Sequence, residues 1–143
     1  MPEARRRSVV RRAVRERAKG CCEYCRSPDD CSPAPFHVEH VFPETLDGSD
    51  DLENLAWACG GCNGFKGVAV EALDPISGEL TPLFHPRRQI WGDHFSWGAD
   101  PLFCEGITAV GRATISRLHL NRSEILTLRQ LLALAERHPP DVS

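Results

Sequence analysis

No apolar run among these 143 residues approaches the ~20 needed to span a bilayer, so no helical membrane anchor is expected. The basic N-terminus is not followed by the hydrophobic stretch of a secretory signal, and the expected location is cytoplasmic. Internal repeats and low-complexity tracts are missing too, and the length fits a single domain, 1–143, with a modest core. No aromatic RNA-binding motif is visible. Seven cysteines is an odd number, which argues against a complete disulfide framework. A surplus of positive charge is also lacking, since the formal net charge is −3. That total hides an asymmetry. Residues 1–20 hold eight Lys/Arg against two Asp/Glu (+6), whereas the other 123 hold nine against eighteen (−9). A basic arm on an acidic body contacts phosphates locally, while the body's field limits indiscriminate binding.

The chain does contain two Cys-x2-Cys pairs, Cys22-Glu-Tyr-Cys25 and Cys59-Gly-Gly-Cys62. Together they read as one four-thiolate zinc site. Cys21 adjoins Cys22 and could substitute for it, although two intervening residues is the commoner zinc spacing. Cys21, Cys31 and Cys104 are left as free thiols of a reducing compartment. Four sulfurs leave no open coordination position, so this zinc is expected to be structural, with its binding energy serving as folding energy. Between the pairs stand His37-Val-Glu39-His40 and Asn54, and Asn63 follows the last cysteine. These polar types bind a second, catalytic cation and activate water. The combination points to a nuclease.

A coarse reading gives an α+β chain. Residues 1–20 form a basic N-terminal segment, helical over 4–19, with Val10, Val14 and Ala18 inward. Arg7, Arg11 and Arg15 make a stripe that either is simply solvated or contacts phosphates. Residues 21–72 form the zinc-clipped unit. It has a strand at 36–42 (Phe36, Val38, His40 and Phe42 on one side), a polar turn at 47–51, a second strand at 55–57 and a helix at 61–72. Residues 73–106 are an aromatic-rich extension that opens with a turn at Asp74–Glu79, its Phe84, Trp91, Phe95 and Trp97 expected to build a small core. Arg87, Arg88, His85 and His94 lie there without a spacing that demands function. Residues 107–143 hold two helices. One spans 109–119 behind Thr108 as N-cap; the other spans 122–138, with Asn121 and Glu124 in a capping-box pattern and Ile125, Leu128, Leu132 and Ala135 as the packing stripe.

The segment Cys22–Gly67 resembles the HNH endonuclease family: Cys-x2-Cys, an acidic residue and His, then Asn, then Cys-x2-Cys followed by His or Asn. Residues 74–97, with Pro-Leu-Phe-His-Pro-Arg at 82–87, resemble the extension of many bacterial stand-alone members. The resemblance implies a ββα-metal fold and hydrolysis of DNA phosphodiester bonds. It makes His40 the general base, since imidazole takes up a proton near neutral pH. It makes Glu39 and Asn63 the ligands of one divalent ion, Mg²⁺ or Mn²⁺, as hard oxygen donors suit. Asn54 would brace the loop between the strands. Two departures stand out: the acid is Glu rather than Asp, and the last position is Asn rather than His. His37 shares a strand face with Glu39 and is either a metal or phosphate contact or simply exposed; Lys66, one turn from Asn63, is a weaker phosphate contact. DNA ranks ahead of RNA as partner. A monomer acts on one strand at a time, and Leu126, Leu131 and Leu134 are the candidate surface for a homodimer. The rival reading is a zinc-ribbon nucleic-acid-binding module without hydrolytic activity.

Overall fold

The computed structural model describes residues 2–141; Met1, Val142 and Ser143, the ends of the expected 1–143 domain, lie outside the described residues. The chain is α+β. Helix α1 (Glu3–Arg17) contains neither Gly nor Pro and turns Val10, Val14 and Ala18 inward. It stops where Lys19 and Gly20 both take positive φ, 55° and 73°, and the Gly20 N–H reaches back to the Arg15 carbonyl at 3.1 Å. The first cysteine knuckle follows at once. Its tight turn is closed by Arg26, at φ 66°, whose N–H donates to the Cys22 carbonyl at 3.0 Å.

Strands β1 (His37–His40) and β2 (Leu55–Ala58) pair antiparallel, with Glu39 opposite Ala56 and His40 opposite Leu55. β2 is buried along its whole length, because α1 packs against it and the first knuckle hydrogen-bonds to it: the Glu23 N–H donates to the Trp57 carbonyl at 2.8 Å. Val38 and His40 share one side of β1, whereas Phe42 lies past the strand and is exposed. Helix α2 (Gly60–Lys66) starts at Cys59, whose sulfur accepts the Cys62 N–H. It is shorter than the 61–72 expected from sequence. Gly67, at φ 53°, ends it, and β3 (Glu71–Leu73) pairs instead with β4 (Leu80–Pro82). The turn between them is closed by Asp74, whose carboxylate accepts the N–H groups of Ile76 (3.1 Å) and Ser77 (3.4 Å) and a two-pronged clamp from Arg112 (2.9 and 2.8 Å).

The extension continues through α3 (Trp91–His94) and the pair β5 (Phe95–Trp97) and β6 (Cys104–Gly106). Its aromatics stack among themselves: Trp91 on Phe95 at 5.0 Å, Trp91 on Trp97 at 5.3 Å, and Phe84 edge-on to Phe95 at 5.3 Å. Helix α4 (Ala109–Leu118) is capped by Thr108, whose hydroxyl accepts the Gly111 N–H at 3.1 Å. Helix α5 is Ser123–Leu134, shorter at both ends than 122–138, and Asn121 does not cap it. The Asn121 side chain instead grips the Cys104 backbone, accepting its N–H at 2.8 Å and donating to its carbonyl at 2.9 Å. α5 buries Ile125 and Leu132 as the stripe predicts, but leaves Ala135 exposed and buries Arg129, which donates to the carbonyls of Leu102 and Leu120. Among the described residues no helix is long and apolar enough to cross a membrane.

Candidate functional site

The four knuckle sulfurs of Cys22, Cys25, Cys59 and Cys62 lie within 4.8 Å of one another, metal-binding distance. The chain meets itself here because the first knuckle caps β2 while the second opens α2. Cys21, the alternative ligand, is buried but stands outside this group. Four sulfurs packed this closely cannot all be thiolate without a cation between them, and metal binding is what deprotonates them. The donor set therefore fits a closed, structural ion of zinc type. Ser27 Oγ lies 3.2 Å from Cys25 Sγ, and the Arg122 guanidinium lies over Cys59 and Cys62 at 3.5–3.7 Å.

The extension straps the first knuckle in place. Arg87 ion-pairs with buried Glu23, the Trp91 indole N–H donates to the Tyr24 carbonyl at 3.0 Å, and Phe84 meets the Tyr24 ring edge-on. Glu23 Oε2 accepts the Trp57 N–H at 2.9 Å, and burial pushes its pKa up to about 7. The stretch at 82–87 thus acts on the knuckle through Arg87, a contact no local pattern announces.

Neighbours on a strand point to opposite faces, and the geometry of β1 separates Glu39 from His40. Glu39 turns toward α2. Its Oε1 is ion-paired with Lys66 Nζ at 2.5 Å and its Oε2 accepts the Tyr24 hydroxyl at 2.7 Å; burial raises its pKa, against the pull of Lys66. Lys66 is 1% exposed and donates also to the Val41 carbonyl at 2.8 Å, so it is a core residue and not the phosphate contact expected of it. Asn63 lies one turn earlier on α2, partly exposed. As arranged, Glu39 Oε1 faces Lys66 and Oε2 faces the Tyr24 hydroxyl.

His40 faces the other way, toward α1, and lines a cleft of about 810 Å³ together with Arg6, Arg7, Arg11 and exposed His37. Its Nε2 is 2.8 Å from Asp50 Oδ1 and 3.5 Å from Glu44 Oε1. The sequence marks Asp50 only as part of a polar turn, and no motif marks Glu44, four residues after His40. Asn54 ties the loop that carries both acids. Its amide accepts the Phe42 N–H and donates to the carbonyls of Phe42 and Ser49, all at 2.8–2.9 Å. Gly48 is required there, because a Cβ would fall 1.9 Å from the Phe42 carbonyl oxygen.

The arginine stripe is divided in its use. Arg15 forks onto Asp29 at 2.7 and 3.0 Å, and Arg11 lies over the Trp57 ring at 4.6 Å. Arg7 is exposed and only loosely paired with Glu3 at 3.5 Å.

Residues 22–68 match the HNH endonuclease family. No curated protein and no solved structure matches the chain.

Proposed function

From an HNH endonuclease segment at residues 22–68, we propose that this protein is a metal-dependent endonuclease that hydrolyses DNA phosphodiester bonds. The observation that carries the proposal is His40, partly exposed and lining a cleft together with the basic helix. With Nε2–H directed at Asp50, Nδ1 keeps its lone pair and accepts the proton of an attacking water. Arg7 and the neighbouring arginines supply the charge that holds a phosphodiester backbone along α1. Asn54 keeps the loop, and with it Asp50, in register beside the imidazole. DNA is favoured over RNA because no Phe, Tyr or Trp lines this cleft.

The four cysteines hold structural zinc in this reading, and the ion supplies cross-linking without chemistry. Mg²⁺ or Mn²⁺ at Glu39 and Asn63, which the family resemblance implies, requires a state in which Lys66 has left Glu39. That same ion pair favours a second reading, a zinc-ribbon module that binds nucleic acid without cutting it.

Cleavage of supercoiled plasmid separates the two. Wild type and His40→Ala, each with its zinc verified, are incubated in Mg²⁺, in Mn²⁺ and in EDTA. Nicking by the wild type that needs the added ion and falls by at least about 100-fold in the variant is the expected result. Retained plasmid binding with no cleavage under any condition moves the assignment to the binding module.

A further inference from the structure

Arg122, at the corner between α4 and α5, reaches across to the second cysteine knuckle. Its Nη2 lies 3.5 Å from Cys59 Sγ and 3.7 Å from Cys62 Sγ, and its Nη1 lies 3.6 Å from Cys62 Sγ. The rest of the side chain is held from its own side of the fold. Nη1 also donates to the carbonyls of Leu118 at 3.1 Å and His119 at 3.2 Å. The guanidinium carbon sits 5.5 Å from the Phe65 ring centre, and Phe65 in turn packs on His119 at 4.5 Å.

The knuckle makes room for this group. A Cβ at Gly61 would lie 2.4 Å from Arg122 Nη2 and 2.9 Å from its Cζ. At Gly60 it would meet only His37 Nε2 at 3.8 Å, and at Gly64 nothing within 4 Å. Gly61 therefore marks the place where the guanidinium lies against the start of α2. A divalent ion on four thiolates leaves a net charge of −2, and N–H donors to sulfur withdraw part of it. Partners of this kind set how tightly a ligand set holds its metal.

We propose that Arg122 is the outer-sphere partner of the four-cysteine metal centre. Its N–H···S contacts offset the charge of the tetrathiolate and slow the loss of the metal. Because the same side chain anchors the α4–α5 corner, metal occupancy and the docking of that corner strengthen each other reciprocally. The inference rests on the zinc reading of the cysteines and is independent of whether the protein cuts DNA.

The test follows zinc from the loaded protein to a chromogenic chelator. Wild type is compared with Arg122→Gln, Arg122→Lys, Gly61→Ala and Gly60→Ala, each first checked for native circular dichroism. Arg122→Gln and Gly61→Ala are expected to hold zinc about 10- to 100-fold less tightly. Gly60→Ala should match wild type, and Arg122→Lys should fall between, having charge without the fork. Adding Gly61→Ala to Arg122→Gln should cost nothing further, since the group it displaces is gone. Should Arg122→Gln not fold, the Gly61→Ala and Gly60→Ala pair decides alone. Wild-type zinc retention in Arg122→Gln, or equal retention in the two glycine variants, overturns the inference. A wild type that takes up no zinc overturns it together with the zinc assignment, so the two failures are distinguishable.

Discussion

At the scale of single residues, the most consequential contact is the ion pair between Glu39 and Lys66, whose side chains are 4% and 1% exposed. Removing one partner of such a pair strands the other charge away from water. Lys66→Met is expected to destabilise the protein by about 3–5 kcal/mol in urea unfolding. Adding Glu39→Gln removes the stranded charge and keeps an acceptor for the Tyr24 hydroxyl, so most of the loss should return. A Lys66→Met protein as stable as wild type would mean that water reaches the pair. Sequence spacing identified both residues as noteworthy and placed Lys66 one turn from Asn63. It offered no sign that the lysine points inward, because a seven-residue helix shows too little pattern to orient a face. The same holds for His40: its chemistry is plain from the sequence, but its acid neighbour Asp50 comes from a loop whose path is set by Asn54 and Gly48.

Among the elements, the β3–β4 hairpin carries a clear pH signature. Two N–H bonds from Arg112 hold the Asp74 carboxyl below the usual carboxylate range, and the side chain is fully buried. The native pKa therefore lies below that of the unfolded chain, near ~3.9. The stabilisation is complete above that value and is lost as the pH falls through the native one. The gap in melting temperature between wild type and Asp74→Asn should be constant above about pH 5 and narrow below about pH 4. A gap that stays flat into the acid range would show that Arg112 does not favour the charged form. The turn itself is readable from Asp74 to Glu79, and Thr108 is readable as a cap, because both act within a few residues of themselves. Asn121 carries the same local signal and is drawn away from α5 by the Cys104 backbone, a competitor seventeen residues distant.

For the whole molecule, the cysteine centre joins parts that are otherwise separate: the turn after α1, the start of α2 and, through Arg122, the α4–α5 corner. Stripping zinc with a strong chelator should therefore abolish the cooperative thermal transition, whereas EDTA sufficient only to remove Mg²⁺ should stop cleavage and leave the melting curve in place. An unchanged melting curve after zinc is gone would sink the four-thiolate assignment. The two cysteine knuckles, the ββα order, the basic first helix and the aromatic core of the extension were determined by sequence alone, since each rests on spacing, periodicity or composition. The tertiary structure alone decided that Lys66 is buried against Glu39, that Arg87 straps the first knuckle, that Asp50 meets His40 and that Arg122 covers the sulfurs. The reason is physical: those partners come from different elements, and which charged side chain meets which is settled only when the packed core brings their backbones together.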